Sequence, residues 1–366
     1  MRRALVFLFL LSLMLALPLS VSAKEEALEN TENSLREGLT SLLPDIALSR
    51  IPDPTDTDAV KNALGFGSLF SLLTDTLAEE GGALSGRLLS LFAVTLLFGI
   101  LSVFAKGSSV TLFAEGAAAL SFFSLLFESA DGVFAFFTDL SHLTLGISSL
   151  YAGLFAAGGA TVTAAAASGG FASFLSLLSL FSTTVFPPLL RILFALALLS
   201  SLGNHTLVRE LSRRLTGIAI LFFSLLSMLL LSSLAFQGAL ASGADSVALR
   251  TVKYTASSAI PVVGGTLSGA LGALGASLKL LKSALGGTAV IALLALVLPP
   301  LVEVFLLRLA LSFSESIAAF TEASALKEII ARFRGVLDLA LAALVIVSLL
   351  FLLSLGVYTA ISPFGT

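Results

Sequence analysis

Beyond Arg87 the chain nearly runs out of charge: residues 88–366 carry only 24 Asp, Glu, Lys or Arg side chains. A charge at the centre of a bilayer costs roughly 2.5–3.5 kcal/mol on insertion scales, so helices that cross a membrane are depleted in just this way. A soluble domain carries about 25% charged residues. Here the whole chain has 12%, with 57% hydrophobic residues and a mean hydropathy of +1.05. It reads as an integral membrane protein. A net charge of −3 and the lack of a basic run leave no footprint for a nucleic-acid backbone. With no cysteine, disulfides, thiolate catalysis and Cys-ligated metal sites are excluded, and His142 and His205 are too few for a His-rich metal site.

The charge that is present concentrates near the start. Residues 24–87 hold 12 of the 23 acidic residues and 5 of the 20 basic ones. Ahead of them, Arg2-Arg3, the apolar run Ala4–Leu17, and Val21-Ser22-Ala23 form the three parts of a secretory signal, which predicts cleavage after Ala23. The alternative is an uncleaved anchor; either way residues 24–87 are expected outside the cytoplasm. Leu28, Leu35, Leu39, Leu42 and Ile46 recur at helical spacing, Pro44, Pro52 and Pro54 mark a loop, and Asp58 is a candidate N-cap for a second helix through Leu64. The twelve carboxylates lack calcium-loop spacing and read as a solvated face.

From Leu88 onward, apolar runs alternate with short polar breaks. Spans are expected near 88–105, 110–127 and 133–157, then a hairpin over 160–203 with Pro187-Pro188 at its tip, and further spans near 216–236, 287–307 and 336–358. As one helix, residues 171–203 would be about 50 Å long, too long for a hydrocarbon core of about 30 Å, so a break at the Pro pair is predicted. With the N-terminal segment outside, Lys106 and the Arg209, Arg213, Arg214 cluster fall in the cytoplasm. Past residue 236 the positive-inside rule does not decide the topology. Phe313, Ile317, Phe320, Leu326, Ile329, Ile330 and Phe333 mark an apolar stripe, predicting an amphipathic helix at the interface or against a partner.

The segment Arg250–Gly287 departs most from a plain lipid-facing helix. It contains Pro261, the pair Gly264-Gly265, and Gly269, Gly272 and Gly275. Proline removes a backbone donor and glycine weakens a helix interior, and irregular backbone at membrane depth is tolerated only where protein or a water-filled cavity covers it. The part 258–277 either crosses or re-enters the membrane. Gly265 and Gly269 also form a GxxxG, so close helix packing competes with a pore-lining role.

Ionisable residues within apolar runs are the other pointers: Glu115, Asp139, His142, Arg191, Glu303 and Arg308. Asp139 and His142 stand i, i+3 on one helix face, a spacing that suits a proton relay or an interhelical contact. Arg191 and Arg308 are expected to snorkel to the interface. No GxSxG, HExxH or GxxxxGK[ST] motif occurs, and the abundant serines read as small packing residues, so catalysis is not expected.

The order Asp245, Arg250, Thr251, Lys253, Ile260-Pro261-Val262-Val263-Gly264-Gly265, Ser268, then Leu280-Leu281-Lys282, Ala284 and Gly286 resembles the signature of the stage III sporulation protein AE family. Gly269, Gly272 and Ser283 stand where that family commonly carries polar side chains. The resemblance implies a signal-peptide-bearing, multi-pass protein of the mother-cell membrane around the engulfed forespore. It further implies a subunit of a channel or secretion complex with a secretion-type ATPase and ring-forming membrane proteins as partners.

The sequence thus predicts an all-α polytopic transmembrane helix bundle with eight to nine membrane segments, divided into a signal peptide (1–23), an acidic extracytoplasmic segment (24–87) and a membrane domain (88–366). Its candidate functional segment carries Arg250, Lys253, Pro261, Gly264, Gly265, Ser268 and Lys282, and its candidate intramembrane polar residues are Asp139, His142 and Glu303. Neither a cofactor nor a metal is expected. The competing readings are a stand-alone permease coupled through Asp139, His142 or Glu303, and a scaffold for other subunits.

Overall fold

The computed structural model describes residues 57–104, 109–157, 180–199, 213–222 and 264–360, with a few isolated positions between 169 and 228. Over 264–285 it describes the backbone path alone. The expected signal peptide, the helix over 28–46, its following loop, and Arg250, Lys253 and Pro261 lie outside the described residues.

The described residues are all helical and contain no strand. The short helix α1 (Thr57–Ala63) has Asp58 in its first turn and Lys61 in its last, each placed to favour the helix dipole. Gly65 closes it, its N–H bonding to the Asn62 carbonyl, and α2 (Phe66–Phe104) begins at once. Then come α3 (Ser109–Ala157), a π-helical turn Leu180–Val185 leading into α4 (Phe186–Leu199), α5 (Gly264–Phe320) and α6 (Ser324–Ala360). Four of these, α2, α3, α5 and α6, are long and apolar enough to cross a membrane.

The four long helices form two hairpins packed side by side. In the first, Arg87 of α2 meets Glu128 of α3, about equally far from the link at 105–108, so these helices run antiparallel. In the second, α5 and α6 are antiparallel across the turn Thr321–Ala323, with Arg308 paired to Asp338 and Arg334 to Glu315. Arg87 also meets Glu303 of α5, and Gly99 lies against Thr321, so α2 and α5 run parallel and both hairpin tips point to the same end. The tips lie about 25 Å from the Arg87 level, at 1.5 Å per residue.

The core is aromatic where α4 joins the hairpins. Phe194 meets Phe123 and Phe127 edge-on at 6.3 and 5.9 Å, and Phe186 meets Phe137 at 5.4 Å. Lipid is as apolar as these side chains, so shape fit and ring geometry, rather than water exclusion, favour such contacts. Hydroxyls turn back on their own helices: Thr95 donates to the Leu91 carbonyl at 2.7 Å, Thr144 to Leu140 at 2.6 Å and Ser348 to Leu344 at 2.7 Å. This satisfies them without water.

Several expected boundaries differ. The spans expected at 110–127 and 133–157 are one unbroken helix, because Glu128 and Asp131 do not interrupt it. The backbone is helical from Leu180 through Leu199, so Pro187-Pro188 is no hairpin tip; the pair sits at the junction of the π-helical turn with α4, where the helical hydrogen-bond pattern changes. From Gly264 the Gly-rich segment is regular α-helix, continuous with the span expected at 287–307. The stripe from Phe313 to Phe333 is no single amphipathic helix. It is cut by the α5–α6 turn, leaving Phe313 and Phe320 exposed and Leu326, Ile329, Ile330 and Phe333 buried. The expected count of eight to nine segments extends over ranges outside the described residues.

Candidate functional site

The polar centre of the bundle is a three-helix charge cluster. Arg87 donates through Nη1 to Glu303 Oε1 at 3.0 Å, and its Nη2 lies 2.8 Å from Glu128 Oε2. One guanidinium thus joins α2, α3 and α5. Its planar fork suits the task, since two donors diverge in fixed directions toward two carboxylates. The Glu303 side chain is 17% exposed, Arg87 29% and Glu128 66%, so the Arg87–Glu303 arm is the protected one. Gly132 makes room: a Cβ there would lie 3.2 Å from Glu303 Oε2.

Uncharged stretches flank the cluster on individual helices. On the tip side, α2 has no charged residue from Leu88 to Phe104, and on the other side α5 has none across 283–302 and α6 none beyond Asp338. Where α5 and α6 carry charge toward the tip, two pairs join the helices, and Arg332 pairs with Glu328 within α6. Arg308 pairs with Asp338 instead of snorkelling alone as expected, because the facing helix offers a carboxylate at its level. Arg334 likewise pairs with Glu315. Arg191 stays exposed, its guanidinium carbon 5.4 Å from the centroid of the Phe134 ring.

The other candidates are dispersed. Asp139 is half-buried and His142 exposed on α3, more than two helical turns beyond Glu128, and they do not join Glu303. Gly264, Gly265, Ser268 and Lys282 lie on the first part of α5, remote in sequence from the cluster. At the far end of the same segment, Gly287 has a defined packing task. A Cβ there would lie 2.4 Å from Val60 Cγ1, so α1 can seat against α5 only where glycine stands. Glu115 lines a cavity of ≈ 250 Å³ at the hairpin tips with Phe98, Ser102, Glu322 and Leu326. Among the described residues no group of three His, Asp or Glu could hold a metal ion.

Sequence reasoning found Glu303 but missed its partners. Arg87 was read as the end of the acidic segment, and Glu128 fell in the gap between the spans expected at 110–127 and 133–157. The available signal was Arg87 itself, the sole basic residue between Lys61 and Lys106, directly ahead of an uncharged run.

Comparison with known proteins bears on what such a bundle belongs to. The family model described as "Stage III sporulation protein AE (spore_III_AE)" matches residues 58–362, which takes in every described helix apart from the first residue of α1. The chain belongs to the stage III sporulation protein AE family. A curated relative, "Stage III sporulation protein AE" of Bacillus subtilis (strain 168), is 29% identical over 174 residues. That alignment covers 46% of this chain and 43% of the relative. No solved structure matches the chain. Membership ties the apolar helices to a membrane protein of a sporulation family, whose name is not that of an enzyme.

Proposed function

We propose that this protein is a non-enzymatic, multi-pass subunit of the mother cell–forespore channel or secretion complex required for endospore development. It would sit in the mother-cell membrane surrounding the forespore, beside a secretion-type ATPase and ring-forming membrane proteins. The observation that carries this reading is the family match over residues 58–362. A bundle whose charges pair between helices supports an architectural part. With the α2–α3 tip assigned to the cytoplasm by Lys106, the α5–α6 tip at the same end carries Lys327 there too, and the acidic segment 24–87 is assigned opposite them.

Co-isolation tests the proposal. The tagged chain, extracted from sporulating cells in mild detergent, should bring down the ATPase and the ring-forming subunits as a complex larger than the chain. Recovery of the chain alone from cells that contain those subunits would contradict it. A permease acting through Asp139 and His142 is the rival outcome: the chain alone, reconstituted in vesicles, would then accumulate a solute, and Asp139→Asn would abolish that accumulation.

A further inference from the structure

Three helices carry a weak point at the same level. In α2, Gly81, Gly82 and Gly86 precede Arg87 directly; a Cβ at any of them would meet nothing within 4 Å, so packing does not require glycine there. In α3, Gly132 follows Glu128 by one turn. In α5, Pro299 and Pro300 stand inside the helix one turn before Glu303. Lacking N–H groups, they leave the carbonyls of Ala295 and Leu296 without their helical donors, the usual origin of a sharp bend. All these positions lie on the side of the charge cluster away from the tips. By contrast α6 has no proline, and no glycine between Gly335 and Gly356.

The three α2 glycines, which lack a steric reason, and the α5 proline pair form a pattern that packing alone does not account for, and Gly132, though it makes room for Glu303, weakens α3 at the same level. We propose that α2, α3 and α5 share a hinge beside the Arg87–Glu128–Glu303 cluster, and that the cluster is the latch holding it closed. Above the latch, Arg308–Asp338 and Arg334–Glu315 tie α5 to α6 within the second hairpin, and the Gly99–Thr321 contact ties that hairpin to α2. Below it, the distal halves of α2, α3 and α5 move relative to α6 when the guanidinium releases its carboxylates. This goes beyond membership of a complex, and it holds whether or not the chain assembles with an ATPase.

Because the chain has no cysteine, paired spin labels read the motion directly in the full-length protein reconstituted in bilayers. Labels at Leu73→Cys and Leu349→Cys report the distal halves, and labels at Ile100→Cys and Lys327→Cys report the tips. A 20° kink at the end of an arm of about 20 Å, the length from Leu73 to Gly86, displaces it by about 7 Å. Arg87→Gln should add a population shifted by about that amount at the distal pair while the tip pair stays unchanged. Replacing Gly81, Gly82 and Gly86 by Ala in the same background should remove the new population. An unshifted distal distance in Arg87→Gln overturns the hinge, as does a shift that the three alanines leave intact. Should Arg87→Gln lose the tip distance, Glu303→Gln repeats the test, since it releases Arg87 from α5 while Arg87 keeps Glu128 and no buried charge is left unpaired. Loss of the tip distance in that variant too would mean that the cluster holds the whole fold, which also overturns the proposal.

Discussion

Arg87 of α2 and Glu303 of α5 lie 216 residues apart in sequence and 3.0 Å apart in space. Between them they fix the relative register of the two hairpins, because Gly99 and Thr321 meet further along the same pair of helices. A guanidinium kept partly from solvent needs its carboxylates, and the carboxylate with 17% exposure needs the guanidinium more than the one with 66%.

That asymmetry sets the first prediction. Arg87→Ala strands Glu303 without a counter-charge, a change that costs roughly 3–5 kcal/mol for a fully buried pair and somewhat less here. Glu128→Gln removes an exposed partner worth about 0–1 kcal/mol. Unfolding by denaturant in detergent should therefore show a large loss for the first and almost none for the second.

The seat of α1 gives a second prediction. Gly287→Ala puts a methyl 2.4 Å from Val60 Cγ1, and overpacking of this kind costs about 1–3 kcal/mol. Gly335→Ala, in a helix interior with open space around it, should instead stabilise by about 1 kcal/mol. Thermal unfolding of the two variants should move in opposite directions, and protease sensitivity near residue 60 should rise only in Gly287→Ala.

How much of this was legible in the sequence depended on which physical signal each feature leaves. Charge depletion marked the membrane class, and the apolar runs marked the second half of α2 and most of α6, because these follow from local composition; the first half of α2, from Phe66, lies in the stretch read as the acidic segment. A helix was rightly expected at Asp58, but Asp58 stands inside the first turn of α1 and not at its N-cap, since the helix already includes Thr57. The end of α5 left no such mark. Its C-cap is Glu322 with φ 55, in a position where glycine is commonest, while the Ala323 N–H reaches back to the Ala318 carbonyl. A single stripe was therefore read across the turn. Conversely, Pro187-Pro188 was over-read as a break within a stretch that is helical from Leu180 to Leu199, and the glycines left a re-entrant path open where α5 is continuous from Gly264. The pairings of Arg87, Glu128, Arg308 and Asp338 are long-range relations that no spacing rule contains.

Orientation is a third prediction. With an impermeant thiol reagent on intact cells, Asp56→Cys should label, and Ser212→Cys and Lys327→Cys should not, since the last two are assigned to the cytoplasm. Labelling of Lys327→Cys together with Asp56→Cys would reverse the placement of the α5–α6 tip.

A fourth prediction concerns the segment that carries the family signature. Gly265→Leu places a bulky side chain on a small-residue face of α5, where close helix approach is expected. Spore yield should fall while the protein remains in the membrane. The same should hold on charge removal at Arg250 together with Lys253, whereas Ser179→Leu in an ordinary apolar run should be tolerated. Normal sporulation with Gly265→Leu would reduce this stretch to packing material.

The central claim, that this chain serves sporulation as an assembled architectural subunit and not as a permease coupled through Glu303, is tested most directly by exchanging the charges of one pair. Arg87→Glu and Glu303→Arg, each combined with Glu128→Gln so that no carboxylate faces another, should each reduce heat-resistant spore yield, and the combined exchange should recover most of it, because an architectural pair works in either polarity. Spore yield that stays as low in the combined exchange as in the separate ones, with the protein present in the membrane at normal abundance, would contradict the account and return Glu303 to the role of a coupling carboxylate.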